Sequence, residues 1–135
     1  DPVAIWTVLP FVWMCDYIAE SGRFRYRLAG EEMNIFHHRN LVGTYLDETL
    51  TDTQSEKIIP KYRRAIEGPS IVYVRGAIHA ATHPHLRGER LLLPLADAGE
   101  NASIILGATV SHFGAGNQGR EMPQPCETVE IPLSS

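Results

Sequence analysis

Histidine offers the first candidates for chemistry in this chain. His79, His83 and His85 lie close together, and His37 and His38 are adjacent. If His79 ends a strand and His83 and His85 occupy the following loop, the three rings can converge. Zinc, however, takes three or four tetrahedral ligands, usually at tighter and more regular spacing. No cluster of Cys, Asp or Glu completes the set. Such histidines read as solvated loop residues, and no metal is expected. Acid–base chemistry fares no better: Asp16, Asp47, Glu48 and His112 are scattered without a nucleophile, base and orienter in recognisable spacing. Ser111 and His112 are neighbours in an extended run, so their side chains point to opposite faces and form no dyad. Gly114, Gly116 and Gly119 match the spacing of a dinucleotide loop, but Pro123 and Pro125 follow. That motif needs a long helix whose N-terminus holds the pyrophosphate. No catalytic residue is assigned.

An apolar pocket is the remaining candidate site. Gly76 falls inside a β-branched run, where a missing side chain leaves room. Tyr26, Met33, Phe36, Tyr62, Val74, Gly76, Ile78 and Leu93 are the residues expected around a small ligand, with Ile105 beside them. Tyr26 and Tyr62 would supply polar handles. Taken singly, each of these is a core residue; a cavity among them is the functional expectation.

Bulk properties narrow the partners. At 135 residues the chain is one domain, large enough for a single core. Its net charge of −4 argues against nucleic acid, which needs a basic surface. No apolar run approaches the roughly 20 residues that span a membrane. Cys15 and Cys126 are too few and too distant for a disulfide framework, so a cytoplasmic location is expected. Cys15, in an apolar run, reads as buried and Cys126 as exposed.

Elements that could build such a pocket follow from periodicity. Asp1 and Pro2 open a short cap helix over 1–9, ended by Pro10. Residues 11–19 read as a strand, 20–22 as a turn and 23–29 as its hairpin partner. In that second strand Arg23, Arg25 and Arg27 alternate with Phe24, Tyr26 and Leu28, giving one charged and one apolar face. Carboxylates on a paired strand could neutralise the arginines. Short helical pieces cover 31–50, with Asn40 and Asp47 as candidate caps. Thr51 and Thr53 can cap a longer helix to residue 67, kinked or restarted at Pro60. Three more strands are expected over 71–80, 89–95 and 103–111. Arg87 and Gly88 would close the loop before the second, Pro94 would mark an edge or bulge, and the third would be central. Residues 114–135 read as an extended or partly disordered tail, in which 128–133 could add an edge strand.

This order resembles the PAS sensory domain, and in detail a bacterial PAS subgroup of unassigned role. The resemblance rests on Phe24-Arg25-Tyr26-Arg27-Leu28-Ala29-Gly30, on Leu41-Val42-Gly43, on Arg90-Leu91-Leu92-Leu93-Pro94-Leu95 and on Ile104-Ile105-Leu106-Gly107. It covers about residues 3–113. It implies an α+β fold: a PAS-like five-stranded antiparallel sheet with short helices packed on one face, over residues 1–113. Some relatives of this kind bind haem through a histidine on the long helix; here that helix has none, and His37 or His38 would have to substitute. Flavin photochemistry needs a cysteine in the helical block, where this chain has His37, His38 and Arg39. No cofactor is therefore expected. The resemblance implies a non-enzymatic sensory domain that binds a small molecule or a signalling partner protein. A homodimer is expected through Trp6 and Leu9 of the cap helix and through Trp13 on the outer sheet face. The alternatives are a curved-sheet enzyme with a pocket general base and a purely structural dimerisation module.

Overall fold

In the computed structural model the described residues are 7–78, 86–97, 99, 101–113 and 126–133. A 3₁₀ turn at Leu9–Phe11 leads into β1 (Val12–Ile18) and β2 (Arg23–Ala29). Then come α1 (Glu31–His37), a second 3₁₀ turn (Leu46–Thr49) and α2 (Asp52–Glu67). Four strands close the order: β3 (Ser70–Gly76), β4 (Leu86–Ala96), β5 (Ala102–Phe113) and β6 (Glu127–Pro132). All pairings are antiparallel, in the order β2-β1-β5-β4-β3-β6. No helix among the described residues is long and apolar enough to cross a membrane.

Among the described residues the sheet thus has six strands rather than five. Residues 127–132, placed in a tail by sequence, pair along β3 with Ile131 opposite Ile71 and Val129 opposite Tyr73. Arg64 on α2 also donates to Glu130 at 2.7 Å. Every β6 residue is exposed, so this strand contributes ladder hydrogen bonds and little core. Most of the cap helix expected over 1–9 lies outside the described residues, as do His79, His83, His85 and the 114–125 part of the tail.

The β1–β2 hairpin turns at Gly22, whose φ of 70° suits glycine, with Gly22 N–H donating to the Ile18 carbonyl at 2.8 Å. One register shift corrects the alternation read from sequence. Cys15 pairs with Tyr26 but Met14 pairs with Leu28, so Arg27 is bulged. The bulge moves Leu28 to the outer face, where it is 46% exposed, and turns Ala29 inward against the core. Arg27 meets Asp16 on β1, and Arg23 makes paired hydrogen bonds to Asp47 at 3.1 and 2.9 Å. Arg27 is thus neutralised from the paired strand and Arg23 from the 3₁₀ turn, while Arg25 donates to the Gly43 carbonyl instead. Asp47 is therefore an ion-pair partner rather than a cap; Glu48 instead accepts from the Tyr45 N–H at 2.8 Å.

Thr51 caps α2: it accepts from the Gln54 N–H at 3.2 Å, while the Gln54 side chain accepts from the Thr51 N–H at 2.8 Å. The helix runs through Pro60 without a break. Glu56, whose carbonyl loses its usual donor there, is exposed, so water can replace it. Tyr62, Ala65 and Ile66 form its buried stripe.

Arg87 and Gly88 belong to β4 and not to the loop before it, because Gly88 pairs with Gly76. Pro94 pairs with Ile105 on β5, but β3 pairing ends at Leu92, so the missing N–H falls where one side of β4 is a local edge. β5 is central, between β1 and β4. The core lies between the sheet and the helices, around Trp13, Phe24, Leu41, Tyr62, Val72, Leu92 and Ile105.

Candidate functional site

The inner sheet face is lined by alternate residues of β1, β2, β4 and β5, and α1 and α2 stand over it. They do not fill the space. A cavity of about 410 Å³ remains between sheet and helices. Tyr26 enters it from β2, Arg90 from β4, and Thr109 and Ser111 from β5. Met33, Phe36, His37 and His38 line it from α1 and its end, Leu46 and Thr49 from the 3₁₀ turn, and Gln54, Ile58 and Tyr62 from α2. Ile78 closes the side beyond β3.

Of the eight residues expected at a ligand site, Tyr26, Met33, Phe36, Tyr62 and Ile78 line this cavity. Val74 is packed in the core instead. Leu93 is on the opposite sheet face: it is one residue from the buried Leu92, and strand side chains alternate. Three consecutive leucines, 91 to 93, hide which parity faces inward. Gly76 is not mid-strand; it ends β3 with φ 124°, a conformation that side chains resist. Gly88 instead gives up its side-chain space to Ile78, since a Cβ there would stand 2.7 Å from Ile78 Cδ1.

Trp13 is also placed differently from expectation. It is fully buried on the inner face, so it cannot serve an outer-face dimer contact. Its indole stacks on Tyr62 with centroids 5.5 Å apart and meets the Tyr26 ring edge-on at 6.1 Å. Trp13 Nε1 donates to Thr109 Oγ1 at 2.9 Å. The Thr109 hydroxyl keeps a proton of its own to donate. An aromatic of this kind buries roughly 200 Å², on the order of 5 kcal/mol before ordering entropy is subtracted. Trp13 thus packs against Tyr26 and Tyr62, two of the cavity-lining residues.

The polar groups of the site have defined charge states. Burial raises the Tyr26 and Tyr62 hydroxyls well above their ordinary range, although the Arg90 charge opposes it. Both remain neutral donors. Burial, then the charge of Arg90, lowers His37, which is neutral at pH 7. His38, at the end of α1, adopts a left-handed φ of 55°. Glu32 is the one carboxylate among the described lining residues, and it is exposed.

Arg90 is the residue that sequence reasoning missed. It shares the inner face with Leu92, and its parity was obscured by the leucine run. Thr49, Gln54, Thr109 and Ser111 carried no sequence signal, because their role depends on register and helix placement.

A family model described as a PAS domain matches residues 1–110. No curated protein and no solved structure matches the chain.

Proposed function

The chain belongs to the PAS domain family, and from that membership we propose that it is a cytoplasmic, non-enzymatic sensing module whose small-molecule ligand occupies the cavity beneath α1 and α2. The cavity itself carries this reading. About 410 Å³ falls in the range of small-ligand sites, and a mostly apolar wall with a few convergent polar groups is how such sites are built. A purely structural module would close that space. Ligand occupancy would favour one arrangement of the helical cover over another, because a ligand shifts an equilibrium by its differential affinity. A partner protein would read that shift. We extend the proposal to a homodimer, supported by exposed Val8 and Leu9 beside the start of β1 and by Leu28 and Val110 on the outer sheet face.

One observation favours an enzyme as a second reading: His37 is a neutral imidazole at the cavity and could act as a base. Its position lacks an orienting carboxylate among the lining residues, since Glu32 is exposed. The sensing reading is tested by native mass spectrometry of the purified chain, followed by denaturing analysis of what dissociates. A reproducible small molecule supports it. An empty chain from several expression hosts, with no gain in thermal stability from any small-molecule library member, would overturn it.

A further inference from the structure

The sensing reading leaves the ligand class open, and this inference rests on it. We propose that the cavity selects an organic acid, with a monoanionic carboxylate on the Arg90 guanidinium and an apolar body against Met33, Phe36, Ile58 and Tyr62. Arg90 is fixed in the interior of the sheet, opposite Val74 on β3 and Thr109 on β5. An inward-facing charge is costly unless something pairs with it. The other guanidiniums that form ion pairs do so with carboxylates: Arg23 with Asp47, Arg27 with Asp16, Arg64 with Glu130 and Arg75 with Glu127. Among the described residues no carboxylate pairs with Arg90.

The groups around it do not supply the missing charge. Tyr26, Tyr62 and Thr109 are neutral, and Glu32 stands on the exposed side of α1. A chain of net charge −4 therefore sets a half-buried guanidinium against this cavity with no carboxylate paired to it among the described residues. A guanidinium presents a planar fork that matches a carboxylate bidentately. Arg90 is the only Arg or Lys among the described lining residues, which suits a monoanion better than a phosphate dianion. The Thr109 and Tyr hydroxyls can complete the carboxylate's hydrogen bonds. The apolar remainder of the wall calls for a hydrocarbon or aromatic body.

Calorimetric and thermal-shift titration of the full chain with phenylacetate and octanoate, each against its own amide, tests this. The acid is expected to bind at least about tenfold more tightly than the amide, since charge-assisted bonds are roughly twice as strong as neutral ones. Arg90→Gln is expected to abolish the preference, and Arg90→Lys to retain part of it. Equal binding of acid and amide, or an unchanged preference in Arg90→Gln, would overturn the inference and leave the sensing reading standing. If Arg90→Gln does not fold, the acid–amide comparison in the unaltered chain decides alone. If no probe binds but a molecule co-purifies, an acid supports the inference and a neutral or cationic molecule overturns it. No probe binding and no passenger would overturn the inference, while the sensing reading falls only if the chain is also empty from several hosts and unmoved by every library member.

Discussion

Trp13 and Gly107 face one another across the β1–β5 pair, and the indole occupies the space where a side chain at 107 would begin. A Cβ there would land on Cζ2 and Cε2 of the ring. The indole cannot retreat, because Tyr62 stacks on one side and Thr109 accepts its N–H. Gly107→Ala is therefore expected to destabilise the fold by about 1–3 kcal/mol, the cost of overpacking a filled core. A lower urea midpoint at unchanged slope checks this. A midpoint equal to that of the unaltered chain would show that the aromatic block can shift.

A local signal elsewhere has a local cost. Thr51 and Gln54 form a reciprocal cap at the start of α2. Thr51→Ala is expected to cost about 1 kcal/mol, and Thr51→Ser or Thr51→Asp to cost little, since either can accept from the Gln54 N–H. Chemical denaturation of the three variants measures the ranking. Equal losses in all three would place the effect outside the cap.

The contrast between these sites shows what the chain made legible. Thr51 was readable because capping is decided within four residues. The β2 strand was readable in extent, because Arg and aromatic residues alternate without interruption. Leu28 was misread because the bulge at Arg27 is set by pairing with β1, not by local preference. A run of leucines carries no parity, so the sequence points to Leu93 as inward where the structure has Arg90. β6 was legible only as a possible edge strand over 128–133, because all its residues are exposed and no apolar face announces it. Pairing between strands decides each of these, and register is not set by the local residue pattern.

The two thiols should separate cleanly. Cys15 is fully buried on β1, and burial, with a smaller contribution from Asp16, raises its pKa far above the ordinary range. Cys126 is exposed at the start of β6. Thiolate is the reactive form, so a colorimetric disulfide reagent is expected to titrate one thiol in the native chain and both in denaturant. Rapid native reaction of both would mean that β1 opens readily.

His37 gives the site a pH dependence whose sign is fixed. Its pKa lies below the ordinary 6.5, chiefly through burial and then through Arg90, Arg39 and His38; Glu32 is the only acid among the described residues lining the same cavity. The unfolded chain therefore takes up a proton at this residue before the folded chain does. Where the unfolded state binds more protons, stability rises with pH. The His37 contribution is accordingly full above pH of about 7 and lost as pH falls from about 6.5 toward the folded pKa. Asp47 acts in a separate, lower window: the Arg23 hydrogen bond holds its pKa below 3.8, so its contribution fades only below the ordinary carboxylate range. Urea unfolding between about pH 5 and 8 is expected to show a downward slope on acidification that His37→Gln flattens. The same protonation adds a second positive charge near Arg90, so phenylacetate, still ionised in this range, should bind more tightly at the acid end. Parallel stability slopes in the two proteins would remove His37 as the titrating group, whatever the ligand proves to be.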